Sequence, residues 1–417
     1  MDLLTRPSFI QAIGQISSSN DPQHTLIYTE INHAPKIACM LQGIGAEERL
    51  ISAIQQVICD RIKHLPNASM GKLGWNRFAI ILRLPVKESL EVAEDLAQLL
   101  DSQSVDIDGV SYYPKLIIGV TPLSPEYKTP ERILAAVDEA LFQARRTGNS
   151  IVKLIEHNDP ILHDYYDSLS LLPVITEGLK NQSFVLFAQP IVAIGQKKTT
   201  EQKYEVLLRY KNGQGDIDSK SRFLHTAELF HISREVDYYV VHQFCRYCAQ
   251  QQCQNVMYSL NISGSTIRYS PFLDVLAKEF KHFGVNPEQV CFEITETVAD
   301  RDFEQAIHFM NLLKNRLGCQ LSLDDIGIGS SNLANLSKFN VDFMKIDGSF
   351  INNFLLEPYS ELVVNFITSA AKLYGRKTIA EYVENAQQLG RLEELGVDFA
   401  QGYFTGMPKP LFDPTLA

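Results

Sequence analysis

Along the second half of the chain, short apolar runs break off at a polar residue again and again: VLLR, YSLN, VCFE, LSLDD, FMKID and TIAE. Short apolar runs separated by longer amphipathic stretches read as buried strands alternating with helices, because a strand covered on both faces is apolar at nearly every position. Strands are expected at 184–192, 204–210, 256–262, 290–294, 320–323, 341–346, 377–380 and 399–403. Eight strands with helices between them over roughly 250 residues have the size and rhythm of a β/α barrel, whose strand C-termini gather around one mouth. Glu205, Asn261, Glu293, Asp324, Asp325, Lys345 and Glu381, each at the boundary of such a run, are therefore expected in one place. The first half predicts strands near 25–28, 78–84 and 114–120 and helices over 46–63 and 130–146, an α/β or α+β sandwich. Pro130 is the start signal of its helix and Gly148 the stop. The expected division is a domain over 1–155, a linker over 156–168, rich in His, Asp and Pro, or the entry to a connecting helix, and a barrel over 169–417.

Charge and cysteine content narrow the possible partners. A formal net charge of −11 argues against a nucleic-acid polymer, whose backbone attracts basic surfaces, but leaves room for a small anionic ligand met by local cations. No apolar stretch reaches the roughly 18 residues of a membrane span, and the opening MDLLTRPSFIQAIG lacks a signal-peptide pattern, so a cytoplasmic chain is expected. The seven cysteines read as reduced thiols, and Cys245, Cys248 and Cys253 lack the second pair that a zinc site needs.

Five carboxylates, an amide and an amine at strand ends describe a hard-cation site, because ionised carboxylates are seldom buried unless paired or bound to metal. All-oxygen ligation favours Mg²⁺ or Mn²⁺ over zinc. Adjacent strand residues point to opposite faces, so Asp324 and Asp325 can share the site only if the strand ends and the chain turns, which Gly327 and Gly329 permit. Lys345, close to cations, is expected to be pushed towards its neutral form and to accept a proton from an attacking water or orient it. The plainer reading of Lys345 is a salt bridge to Asp325 or Asp347, and Tyr403 reads as a packing residue.

At these residues residues 169–417 resemble the EAL family of cyclic-di-GMP phosphodiesterases. The matching strings are Glu205-Val206-Leu207-Leu208-Arg209, Gln189-Pro190-Ile191-Val192, Asn261-Ile262-Ser263, Glu293-Ile294-Thr295-Glu296, Asp324-Asp325-Ile326-Gly327, Lys345-Ile346-Asp347, Ala380-Glu381-Tyr382-Val383-Glu384 and Gln401-Gly402-Tyr403, in that family's order but for the first two, which run Gln189 before Glu205. The resemblance implies hydrolysis of cyclic di-GMP to pGpG with two Mg²⁺ or Mn²⁺ ions, Ca²⁺ being inhibitory. It implies metal ligation by Glu205, Asn261, Glu293, Asp324, Asp325 and Glu381, with Asp324 shared between the ions. Lys345, Glu381 and Gln401 fall in the catalytic set, joined by Glu296 as anchor of the loop after the fifth strand. Gln189, Arg209, Glu205 and Asp347 are the substrate-contacting set, and a homodimer through this domain is implied. Ile326, Ile328 and Asn332 depart from the family's loop pattern, and Tyr382 stands where glycine is usual. The first half resembles a GGDEF (diguanylate cyclase) domain that has lost its signature: Gly74-Trp75-Asn76-Arg77-Phe78 places an amide and a cation at the two acidic positions. Glu30-Ile31-Asn32-His33 and Ala34-Pro35 replace the family's strand-end acids and the residues after them, and the product-inhibition motif is absent at 65–68. This domain is expected to be inactive, either a GTP-sensing module or a dimerisation scaffold. The competing reading of the whole is a receptor that binds cyclic di-GMP without hydrolysis and signals to a protein partner.

Overall fold

The computed structural model describes residues 3–19, 23–32, 34, 45–107, 110–147, 152–195, 202–211, 217–218, 222–251, 255–301, 303–327 and 336–411. The chain divides into two compact units, Met1–Asp167 and Ser168–Ala417, the division falling inside the helix Pro160–Lys180.

In the first unit β1 (Thr25–Ile31), β2 (Ser69–Gly74), β3 (Arg77–Leu82), β4 (Leu116–Pro122) and β5 (Val152–Leu154) form one sheet in the order β2-β3-β1-β4-β5. All neighbours are antiparallel except β4 and β5. Strand alternation feeds two cores. Ile27 and Ile31 of β1 join the cluster with Leu50, Ile54 and Leu96, whereas Leu26 and Tyr28 join Phe9, Ile133 and Val137. Helices Ala46–Ile62 and Val86–Ser102 thus cover one face, and Arg6–Ser17 and Pro130–Thr147 the other. The expected sandwich is present, with β2, β5 and the helices Arg6–Ser17 and Val86–Ser102 additional to the expected elements. Gly148, Cys39, Cys253, His33, Pro35, Ile328, Gly329 and Asn332 lie outside the described residues.

The second unit is a closed eight-stranded barrel of β6 (Phe184–Ala193), β7 (Gln202–Lys211), β8 (Val256–Asn261), β9 (Val290–Thr295), β10 (Gln320–Ile326), β11 (Phe343–Ile346), β12 (Lys377–Ala380) and β13 (Phe399–Ala400). From β7 to β13 every neighbouring pair is parallel. β6 runs the other way, antiparallel to both β7 and β13, and closes the ring. This departs from the regular β/α rhythm: an antiparallel pair needs no crossover helix, and only residues 194–201 separate β6 from β7. Expected strand positions agree with the observed ones to within a few residues, but β10 runs on to Ile326 rather than stopping at Leu323, and β13 is only two residues long.

The barrel interior is filled in layers. Cys291, Phe343, Ile379 and Phe399 each lie two residues before Glu293, Lys345, Glu381 and Gln401, so period-two alternation puts them on the same inward face, one layer lower. With Ile191 and Met257 they form a separate apolar cluster under the polar site. Buried Lys203, two residues before Glu205, lies in this layer with Nζ 5.2 Å from the Phe343 ring centre and 5.6 Å from that of Phe399.

Candidate active site

Lys345, on β11, is fully buried, and its Nζ stands at the centre of the predicted residues. It lies 2.8 Å from Glu293 Oε2, 2.8 Å from Glu381 Oε1, 3.2 Å from Asp324 Oδ2 and 3.5 Å from Glu205 Oε2. The salt-bridge reading holds, but its partners are these four carboxylates rather than Asp325 or Asp347, and Glu205 lies within β7 (Gln202–Lys211) rather than at its end as expected. Glu205 is further held by Asn261 Nδ2 at 2.9 Å on one oxygen and Gln401 Nε2 at 2.6 Å on the other. Gln401 also donates to Gln189 Oε1 at 3.2 Å, and Gln189 donates to the Gly406 carbonyl at 3.1 Å, so β6, β7 and the segment after β13 are tied at the mouth.

Both aspartates reach the site through a bulge. The β10–β11 register shifts between Leu323 and Ile326, and Asp325 itself takes the left-handed region at φ 56°. Gly327 follows at φ 109°. The turn is thus made by Asp325, for which left-handed backbone is less costly than for most residues, and the strand resumes at Ile326. Asp324, Asp325 and Glu381 can each bring a carboxylate oxygen within 4.8 Å of the others.

Electrostatics in this cluster are dominated by burial opposed by one ammonium. Burial alone would lower the Lys345 pKa, yet Asp324, Glu205, Glu293 and Glu381 outweigh it and hold it well above its ordinary value. The expected neutral amine presupposes cations that take up the carboxylates' charge; with Lys345 alone among them, the amine is an ammonium. Burial pushes Glu293 up to about 8, against the pull of Lys345 and with the help of Glu205 and Asp324. Asp325 is pushed up to about 6 by burial and then by Asp324, and burial likewise raises Asp324 and Glu381. Glu205 alone is lowered, because Lys345, Gln401 and Asn261 together overcome its burial. The centre is short of positive charge. Glu293 Oε1 and Gln401 Oε1 are buried without a hydrogen-bond partner. Orphaned acceptor oxygens among surplus carboxylates fit divalent cations that prefer oxygen ligands.

The remaining predicted residues lie around this centre. Glu296, nearly fully buried, accepts from the Gly327 backbone N–H at 3.0 Å and so holds the start of the loop after β10; residues 328–335 of that loop are outside the described set. Asp347 caps the helix Gly348–Asn353 by accepting from Ser349 N–H at 2.8 Å. Arg209 shares a face of β7 with Glu205; its guanidinium lies 6.0 Å from the Phe187 ring centre and donates to the Leu208 carbonyl at 2.9 Å. Tyr403 is 65 % exposed, so the packing reading does not hold: the short β13 leaves it beyond the last strand, at the surface.

Asp237 escaped the sequence reading because it sits mid-helix in Ser233–Gln251, away from any strand end. Its buried Oδ2 accepts from Ser263 N–H at 3.0 Å, Ser263 Oγ at 2.6 Å and Thr266 Oγ1 at 2.5 Å, fixing the turn that leaves Asn261. Burial raises its pKa to about 6 against these donors. Asp237→Ala removes the acceptor shared by three donors, of which Ser263 Oγ keeps Ser265 Oγ at 3.0 Å, so the loss of the others, at about 1–3 kcal/mol for each left buried and unpaired, is expected to lower the melting temperature by several degrees in a thermal melt. Asp237→Asn, which keeps an acceptor oxygen, should lose less.

In the first unit, Arg77 Nε bonds Glu30 Oε2 at 2.7 Å and its Nη1 bonds Asp138 Oδ1 at 3.0 Å, while Arg145 also pairs with Glu30. The two-residue turn before Arg77 is held by Asn76, which bonds Ile31 through backbone and side chain. A guanidinium therefore occupies the space between carboxylates of β1 and the helix Pro130–Thr147, as the Asn76-Arg77 substitution leads one to expect.

A model of the EAL domain family matches residues 174–408, more than half of the chain, and one of the diguanylate cyclase GGDEF domain matches 12–150. Cyclic di-GMP phosphodiesterase PdeB of Shewanella oneidensis is 27% identical over 88% of this chain and 43% of its own length. Cyclic di-GMP phosphodiesterase PdeF of Escherichia coli is 30% identical over 59% of this chain and 33% of its own length. The chain thus spans between a third and a half of the length of these curated relatives. Among solved structures, the PaMucR phosphodiesterase in complex with c-di-GMP is 25% identical with a TM-score of 0.54, covering 58% of this chain and 98% of that one.

Proposed function

We propose, from the premise that this chain belongs to the EAL domain family and carries a GGDEF domain ahead of it, that its barrel hydrolyses cyclic di-GMP to linear pGpG. The observation that carries the reading is the buried Lys345 ammonium ringed by Glu205, Glu293, Asp324 and Glu381 inside the barrel. Two Mg²⁺ or Mn²⁺ ions would be held by Glu205, Asn261, Glu293 and Asp324 and by Asp324, Asp325 and Glu381, supplying charge neutralisation at the phosphodiester and activation of water. The chain's own groups then do the positioning. Gln401 and Asn261 fix Glu205 from both sides, and Glu296 fixes Gly327 beside the aspartate pair. Lys345 would orient the attacking water and could accept its proton only as the neutral amine, after losing its own, a state that cations shielding the carboxylates would favour. Arg209, on the same face of β7 as Glu205, would meet a phosphate oxygen, for which a planar guanidinium is well suited. Water adds to phosphorus and gives up a proton, one P–O3′ bond breaks, the departing O3′ takes up a proton, and the ring opens.

The homodimer belongs to the same reading. The helix Pro358–Leu373 exposes Tyr359, Leu362, Phe366 and Leu373 at spacings of three, four and seven, an apolar stripe suited to a second copy.

The test is incubation of the purified chain with cyclic di-GMP and Mg²⁺ or Mn²⁺, with chromatographic detection of pGpG and a parallel binding titration in Ca²⁺. Product establishes the phosphodiesterase; binding without product makes the protein a receptor. In the first unit Arg77 already fills the place between the carboxylates, so that unit is read as inactive and structural. Arg77→Ala is expected to leave turnover within about twofold of wild type, because surface-type ion pairs contribute little. A large loss of turnover would instead make the first unit a partner in the chemistry.

A further inference from the structure

Tyr382 directly follows Glu381, and its φ of 53° lies in the left-handed region that disfavours large side chains. Glycine would hold this backbone without strain. The tyrosine gains little burial in exchange, since the residue is 61 % exposed. Strain kept at an exposed aromatic beside a candidate metal ligand calls for a reason other than packing.

The ring is not free to wander. It lies against Gly348 at the first turn of the helix Gly348–Asn353, where a Cβ would run into Tyr382 Cβ, Cγ and Cδ2. The left-handed backbone of Tyr382 and the missing Cβ of Gly348, at the ends of β12 and β11, together aim the ring. Tyr382 directly follows Glu381, and its ring packs on Gly348, the residue after Asp347, so the ring stands at the rim of the carboxylate centre. Tyr403 and Phe404, 65 % and 47 % exposed, lie just past Gln401. An isolated exposed aromatic is ordinary on a protein surface. One that is strained, pinned and set beside the site is placed for a planar ligand.

We infer that Tyr382 is a substrate-contacting residue whose open ring face stacks on a purine base of the dinucleotide while a phosphodiester lies over the carboxylates. This rests on the phosphodiesterase reading. Base–aromatic stacking is tolerant of base identity, so its loss weakens binding without altering the bond-breaking step.

The experiment uses the full chain and measures KM and kcat for cyclic di-GMP, its dissociation constant in Ca²⁺, and the melting temperature. Tyr382→Phe keeps the ring and is expected to match wild type. Tyr382→Gly is expected to raise KM and the dissociation constant about tenfold with kcat within twofold, while the melting temperature holds or rises because glycine relieves the strain. A purely structural tyrosine gives the opposite result, a lower melting temperature with unchanged KM, and overturns the inference. Should the glycine variant not fold, Tyr382→Leu keeps a side chain against Gly348 without an aromatic face and must raise KM likewise. Wild-type turnover with unchanged KM in the variants overturns the stacking alone, whereas no binding or turnover in the wild type removes the phosphodiesterase reading and the stacking with it.

Discussion

Replacing Lys345 with methionine is expected to abolish hydrolysis of cyclic di-GMP and to lower the melting temperature of the metal-free protein by roughly 5–20 °C. Removing one partner of a buried ion pair typically costs about 3–5 kcal/mol, and each 1 kcal/mol moves a domain of this size by about 2–4 °C. Lys345 Nζ is within 3.5 Å of four carboxylates, so its loss leaves all of them without their cation. Added Mn²⁺ should recover much of the lost stability, because the same oxygens can bind it. The pH profile follows from the carboxyl pKa values. Glu293, at about 8 in the folded protein, has a raised pKa, so its contribution to stability falls as pH climbs from its ordinary value near 4.5 through 8. The deficit of the variant should therefore be smaller near pH 5 than near pH 8. A metal-free variant as stable as wild type at pH 8 would mean that Lys345 does not hold the centre together.

Asp324→Ala should act on the chemistry and spare the fold. Loss of residues that merely support a metal ligand commonly costs ten- to a hundredfold, so loss of the carboxylate proposed to serve both ions is expected to lower kcat/KM by more than about a hundredfold. Stability should not fall with it, because Lys345 keeps Glu293, Glu381 and Glu205, and one raised carboxyl has gone. The two variants thus differ in melting temperature while agreeing on turnover. Persistent hydrolysis in Asp324→Ala would break the two-ion assignment.

Much of this site could be read from the sequence for one physical reason. Strand alternation is strict, so Glu293, Lys345 and Glu381 at the ends of apolar runs had to share a face with the apolar residue two positions earlier. That same rule hid the behaviour of Asp325. Its left-handed turn inside β10 breaks the alternation, and nothing in LSLDD distinguishes a bulge from a strand end. The direction of β6 was also unreadable, because an apolar run looks alike parallel or antiparallel. Asp237 was missed because its partners, Ser263 and Thr266, are distant in sequence and its own surroundings are those of an ordinary helix. In the first unit the replacement of acids by Asn76 and Arg77 was plain, but its pairing with Glu30 of β1, 47 residues earlier, and with Asp138 of the helix Pro130–Thr147, 61 residues later, depends on the fold.

The antiparallel β6 has a consequence for how the protein is made. Residues 184–193 must pair with 202–211 and also with 399–400, and Gln401 must reach back to Gln189 and Glu205. A nascent chain emerging from the ribosome can carry Glu205, Asn261, Glu293, Asp324, Lys345 and Glu381 long before it can close the ring around them. Until Ala400 and Gln401 are translated and clear the exit tunnel, that gathering of polar and charged groups lacks its final strand. An interrupted translation product would lack β13 and the Gln401 bonds to Gln189 and Glu205 that tie the mouth together.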